Sequence, residues 1–479
     1  MDDSTILLVV RVVIPVGILA VLMTFLVAYY RHMQTFCPPP TKSTPPTTCI
    51  LDRMIRSRDD DTTMTTVERV HLIVIVHGWI GCPQDLAYIE DAVEQQAAQI
   101  EAAQQRNEEE SCPATPLPKT EEFVVYNCIC NHGKTQDGIA AGGDRVALEV
   151  QQVLQTLETH YTSLQEVTFS MIGYSMGGMY SRYALPNILP ADPQQVTTAD
   201  DDSNITTTPK QFSFKISPKV FCTMATPHLG SKGQTWFGFP RWMEVKFGNM
   251  SHTAADVFRV DSNLLEEMLV NPRWYRPLLK FEKRIAYANA YSMDFMIPTC
   301  TSAFLSSSAT CSPSFHHVDE QWSNDNHHKA SKANPCIAMV VHTPAEHYKL
   351  FVEKSNITKG DTPTEDDDME WRHRMAQRLD AMGWTKVFCD FTTTSTRTTK
   401  QPPRDPPKCS YTSSELLSLF GTRQKGKHGP LIPMGHDLIC ANSKVVFQSY
   451  RNRRGRILVD QLAKDLIQDI LRGPVGEHV

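Results

Sequence analysis

The chain has 479 residues, of which 41% are hydrophobic and 21% charged, enough apolar material for one large core with additions around it. A formal net charge of −6 leaves no global basic field to hold a polyanion by counterion release, which argues against nucleic acid as a partner. The thirteen cysteines are odd in number and follow no framework spacing, so they read as mostly free buried thiols rather than a disulfide scaffold. Cys128-Ile129-Cys130-Asn131-His132 has the look of half a metal site, but no second ligand pair lies at a usual spacing, and neither a metal nor a cofactor is expected.

From the N-terminus, Val12 to Tyr30 is apolar apart from Pro15, Gly17 and Thr24, long enough at helical rise to span a bilayer. Residues 6–30 are therefore expected to form a transmembrane anchor. The acidic start, Met1-Asp2-Asp3, is unlike a cleaved signal, whose first residues should be basic. Arg31, Lys42, Arg53, Arg56 and Arg58 follow the span and Arg11 alone precedes it, a bias that favours a cytosolic catalytic domain on an endomembrane. Three acceptor triplets, at Asn204, Asn249 and Asn356, would instead suit a lumenal one. Residues 31–66, rich in Pro and Thr and then in Asp and Arg, cannot build a core and read as a disordered linker.

Ordered structure is expected over 67–475. His71 to Val76 is a continuous apolar run of the kind found in the middle of a parallel sheet. Helix is expected over Gln84–Gln105, strand over Phe123–Tyr126, helix over Gly143–His160 and strand over Val167–Ile172. Further strands are expected at Phe212–Ile216, Lys219–Thr223, Arg284–Ala288 and Lys386–Cys389, and an amphipathic helix at Ile457–Leu471. Alternating strand and helix predict an α/β fold, a mostly parallel central sheet flanked by helices. Polar stretches near 190–210, 299–334, 355–368 and 392–427 read as disordered surface insertions.

Gly173-Tyr174-Ser175-Met176-Gly177 falls between the expected strand Val167–Ile172 and a helix-competent run ended by Pro186. A glycine two residues to either side of a serine is what a strained strand-to-helix turn requires, so Gly173 and Gly177 frame an exposed nucleophile, Ser175. A serine hydroxyl needs a histidine base and an orienting carboxylate, which in such an arrangement come later in the chain, acid first. Asp294 follows the strand ending near Ala288 and is preferred to Asp261, which lies in a helix or lid segment. For the base, His436 sits on a glycine-preceded stretch before the terminal helix, with His342 and His347 as alternatives among the seventeen histidines. The oxyanion needs backbone donors: the amide of Met176 after the nucleophile, and that of Trp79, with Ile80 a second option, in His77-Gly78-Trp79-Ile80-Gly81. His77 is open between a packing role and a catalytic one.

These blocks, with Thr223-Met224-Ala225-Thr226-Pro227-His228-Leu229-Gly230 and Asn289 to Pro298, resemble the serine esterase family DUF676, a lipase-like group of α/β-hydrolases. The resemblance runs from about Val67 to Ala441 and implies an α/β-hydrolase fold with Ser175, Asp294 and His436 as nucleophile, acid and base. His228 precedes Asp294 and is expected to be structural. The aromatic cluster from Trp236 to Met243 falls where lipases carry a lid, and reads equally as core. Arg451, Arg453, Arg454 and Arg456 form a basic cluster, a solvated face or a contact for anionic head groups. The expectation is a membrane-anchored lipase or carboxylesterase acting on lipid or other acyl esters. The rivals are a protein acyl-thioesterase, a peptide-bond hydrolase and a catalytically inactive, hydrolase-shaped membrane scaffold.

Overall fold

The computed structural model describes residues 67–111, 121–189, 211–234, 240–290, 294, 296–305, 334, 336–346, 365–391, 435–442 and 453–472. The anchor expected at 6–30, the linker at 31–66, the insertions at 190–210 and 392–427, and His347 lie outside the described residues. Among the described residues, no helix is long and apolar enough to cross a membrane.

The central feature is a seven-stranded sheet, built from β1 (Arg69–Val76), β2 (Glu121–Asn127), β3 (Glu166–Tyr174), β4 (Lys215–Met224), β5 (Lys283–Asn289), β6 (Ile337–His342) and β7 (Thr385–Cys389) in the order β2-β1-β3-β4-β5-β7-β6. All neighbours run parallel except β6, which pairs antiparallel with β7. A sheet covered on both faces demands apolar residues on both sides of its strands, and Leu72 to Val76 of β1 are buried without interruption. Even positions of β1, such as Leu72 and Val74, face one core with α2 (Ile139–His160) and α3 (Met176–Ile188), while Ile73 and Ile75 face another with α1 (Ala87–Ser111) and α11 (Arg453–Leu471). The fold is α/β.

Several elements differ from the sequence expectation for identifiable reasons. Of the two strands expected at Phe212–Ile216 and Lys219–Thr223, Phe212 to Phe214 are not strand and the rest is one strand, β4, that carries Pro218 through a register shift opposite Phe169 and Met171. Proline removes a ladder hydrogen bond, so its position reads as a break although the strand continues. The start of the stretch expected at 299–334 as a disordered insertion is ordered. Its first residues form a short helix, α8 (Thr299–Ser302), and Thr299, Cys300, Thr301, Ser302, Ala303 and Phe304 are all buried. Likewise α9 (Glu365–Asp380) absorbs the end of the polar stretch at 355–368, because Asp368 has fixed partners in Lys232 and Arg259. Four short helices, α4 (Arg241–Gly248), α5 (His252–Phe258), α6 (Leu264–Val270) and α7 (Pro272–Leu279), lie between β4 and β5.

Two side chains of the basic cluster have partners within the protein, and Arg456 stays exposed. Arg454 donates to the Phe391 carbonyl, and the Arg456 guanidinium lies 5.0 Å from the Tyr88 ring centroid. Cys128 and Cys130 are free thiols, as are Cys222, Cys300, Cys336, Cys389 and Cys440. Burial and the nearby Glu149 carboxylate raise the Cys130 thiol. Glu149 itself accepts from the Tyr126 hydroxyl at 2.8 Å and from the Ile129 and Cys130 amides at 3.0 Å, holding the turn after β2. Among the described residues, no group of three His, Cys, Asp or Glu could hold a metal ion.

Strand order places the site. The chain leaves β1 for β2 on one side and returns to β3 on the other, so the connections that follow β1 and β3 run to opposite faces and leave a crevice beyond the strands' carboxyl ends. The loop after β1 and the turn after β3 both open there.

Candidate active site

Ser175 stands between β3 and α3 with φ 54° and ψ −128°, a backbone conformation that L-residues rarely hold and that costs about 1–3 kcal/mol. Close packing makes the turn possible and glycine makes the packing possible. A Cβ on Gly177 would meet the Val76 carbonyl oxygen at 2.1 Å, and one on Gly173 would meet the Gly178 Cα at 2.4 Å. Ser175 is held on both sides of its own peptide: its amide donates to the Met224 carbonyl at 2.8 Å, and its carbonyl accepts from Thr226 Oγ1 at 2.9 Å.

His436 is the second residue of a five-residue helix, α10 (Gly435–Ile439), and is 9% exposed. Its Nε2 lies 3.1 Å from Ser175 Oγ and its Nδ1 lies 2.8 Å from Asp294 Oδ2. A carboxylate only accepts, so Nδ1 carries the proton and Nε2 is free to accept from the serine hydroxyl. Tyr174 fixes the helix beneath: its hydroxyl donates to the His436 carbonyl at 3.0 Å, and the two rings are 5.0 Å apart.

Asp294 is 1% exposed. Oδ1 accepts from the Met296 and Ile297 amides, both at 2.8 Å, while Oδ2 accepts from Asn289 Nδ2 at 2.9 Å as well as from His436. Each carboxylate oxygen thus has two donors, and the side chain has one orientation.

The loop after β1 makes a tight turn in which the Gly81 amide reaches the Gly78 carbonyl at 3.2 Å. Ile80 has φ 55°, and its amide donates to Thr135 Oγ1 at 2.9 Å, so that amide is not available to a substrate. Of the two options in this loop, that leaves the Trp79 amide as the candidate oxyanion donor. Met176 opens α3, and the first amides of a helix have no partner within it.

The other candidates lie elsewhere. His342 is exposed at the end of edge strand β6 and bonded to Thr385 Oγ1 at 2.9 Å. Asp261 is exposed in a turn with φ 52° between α5 and α6. His228 is fully buried, with Nδ1 3.2 Å from Arg182 Nη1 and Nε2 3.0 Å from Thr223 Oγ1. Because a guanidinium only donates, this imidazole is neutral. Burial holds it well below the usual histidine range, with the Arg182 and Lys386 charges adding to the effect. The unfolded chain therefore binds a proton here below about pH 6.5 that the folded chain refuses, and stability falls as pH drops through that value. We expect the unfolding midpoint to fall between pH 7 and pH 5, and to fall less in His228→Gln; equal falls in a pH series of thermal melts would contradict this.

Asn289, Tyr174, Thr226 and Thr135 escaped the sequence reading as site residues. Asn289, at the end of the strand before Asp294, and Tyr174 and Thr226, each in a block already singled out, are the three with a visible signal.

Residues 66–304 match the family described as "Putative serine esterase (DUF676)". No curated protein matches the chain. It is similar to a solved structure described as "The crystal structure of the gene lin2722 products from Listeria innocua", at 12% identity and a TM-score of 0.21, over 48% of this chain and 72% of that one. His436 lies beyond the matched segment, whereas Ser175, Asp294 and the loop after β1 lie within it. Through residues 66–304, this chain belongs to the DUF676 family, whose description is "Putative serine esterase".

Proposed function

We propose that the protein is a membrane-anchored serine hydrolase of α/β-hydrolase fold, a lipase or carboxylesterase that cleaves acyl esters of lipids. A single domain over 67–475 carries the activity, and residues 6–30 hold it to an endomembrane on the cytosolic side. The observation that carries the reading is the hydrogen-bonded chain Ser175–His436–Asp294, with 3.1 Å and 2.8 Å links.

Chemistry follows from that chain. As Ser175 Oγ bonds to the ester carbonyl carbon, its proton passes to His436 Nε2, and the imidazolium is stabilised by Asp294. Negative charge builds on the carbonyl oxygen, where the amides of Met176 and Trp79 receive it. Collapse of the intermediate breaks the ester bond, His436 returns the proton to the leaving alcohol, and an acyl-serine remains. Water then attacks the acyl-enzyme with the same histidine as base, releasing the acid and restoring the serine.

Support for a lipid substrate comes from the expected anchor and from Trp242 in α4 and Met250 just after it, which are 61% and 67% exposed on the segment following β4. Two large apolar side chains left in water on one short segment are consistent with an interface for acyl chains. Purified protein incubated with glycerolipid vesicles is expected to release free fatty acid, and its Ser175→Ala counterpart is not. Equal release from both, or turnover of acyl-thioester peptides but not of glycerolipids, would contradict the assignment.

A further inference from the structure

Thr135 belongs to no helix or strand, yet it joins three parts of the molecule. Its Oγ1 accepts from the Ile80 amide at 2.9 Å. Its carbonyl accepts from Tyr180 Oη at 3.2 Å and from Thr253 Oγ1 at 2.7 Å. Ile80 is in the loop after β1, Tyr180 is in α3 one turn beyond Ser175, and Thr253 is in α5. Thr135 is 4% exposed, so water does not compete for these bonds.

The loop needs such a hold. Ile80 is β-branched and sits at φ 55°, where a side chain of that shape is strained. Upstream, the Gly78 carbonyl is gripped by the Gly81 amide at 3.2 Å and by His77 Nδ1 at 3.1 Å. A trans peptide points its N–H opposite its C=O, so the grip on the Gly78 carbonyl fixes the direction of the Trp79 amide. Downstream, the bond to Thr135 acts with the Gly78–Gly81 turn bond to keep Ile80 in its left-handed conformation. Released there, Ile80 can relax, and the peptide planes on either side of Trp79 turn with it.

Resting on the esterase reading above, we propose that Thr135 is a positioning residue: it holds the Trp79 amide in oxyanion-binding register and ties that register to helix α5. The second tie is as well built as the first. The Gly138 amide donates to Thr253 Oγ1 at 3.0 Å, the Thr253 amide to the Gln136 carbonyl at 3.3 Å, and the Ile139 amide to Asp256 Oδ2 at 2.8 Å. Any displacement of α5 by a bound acyl chain is therefore felt by the oxyanion donor through residues 135–139.

The test uses full-length Thr135→Val, Thr135→Ser and Thr253→Val, with kcat and KM for a soluble acyl ester and hydrogen exchange of the peptide containing Ile80. Thr135→Val keeps the shape and loses the acceptor. It should lower kcat by about tenfold to a hundredfold with KM within about twofold of wild type, and should speed exchange at Ile80. Thr135→Ser should restore both, and Thr253→Val should speed exchange at Ile80 as well. Unchanged kcat in Thr135→Val, or a serine variant as slow as the valine one, would overturn the proposal. If wild type and Ser175→Ala hydrolyse the ester equally, the esterase reading fails. The exchange measurement still decides the clamp, since a protected Ile80 in Thr135→Val removes it.

Discussion

Ser175→Ala is expected to lower kcat for ester hydrolysis by about five to six orders of magnitude, to a residue of catalysis left by substrate binding and the oxyanion donors. His436→Ala is expected to cost about as much, and the double variant no more than either alone. The physical reason is that the serine and the imidazole perform one step between them: without an acceptor 3.1 Å away the hydroxyl keeps its proton, and without the hydroxyl the acceptor has nothing to take. Additive losses in single-turnover kinetics would mean that the two side chains act in separate steps, and the account of the acyl-enzyme would fail. The alanine at 175 removes no packing partner, since the turn is held through the main chain of Ser175 by Met224 and Thr226. The variant should fold.

Asp294→Asn has the next largest effect, about four orders of magnitude in kcat. Its cause can be read from the four donors around the carboxylate. The Met296 and Ile297 amides require an oxygen at the Oδ1 position, so the new amide nitrogen must take the place of Oδ2. There it faces His436 Nδ1, donates to it, and forces the imidazole proton onto Nε2. The ring then presents a donor to Ser175 where it must present an acceptor. Binding is untouched, and KM should change by less than about threefold. A loss shared between kcat and KM, or activity within about tenfold of wild type, would show that the aspartate does not set the tautomer.

How much of this could be read from the chain differs from element to element. Long apolar strands and long helices announce themselves, as at β1, β3 and α2, because a period of 2 or 3.6 or an unbroken apolar run leaves little choice. The nucleophile turn was legible because its glycines are required within five residues. By contrast, α4 to α7 are helices of seven or eight residues, one with Pro277 inside it, too short to display a period. Edge strand β6 is antiparallel, and its pairing with β7 carries no local mark.

Within the site the difficulty is separation. His436 is 261 residues from Ser175 and 142 from Asp294, so its preference over His342 rests on a glycine-preceded place before the terminal helix and on no fixed spacing. Chain order gave the candidates and geometry ranks them, since His342 is bonded to Thr385 on the far edge of the sheet. Thr135 was out of reach for another reason. Its role lies in a side chain serving someone else's backbone, and a threonine in a polar loop looks like any other.

The most direct measurement is the rate at which a fluorophosphonate labels Ser175 in His436→Ala compared with His342→Ala, with the modified residue read by mass spectrometry. Labelling confined to Ser175, abolished in His436→Ala and unchanged in His342→Ala, is the predicted result. Undiminished labelling of Ser175 without the His436 ring, or an adduct on another residue, would contradict the catalytic chain.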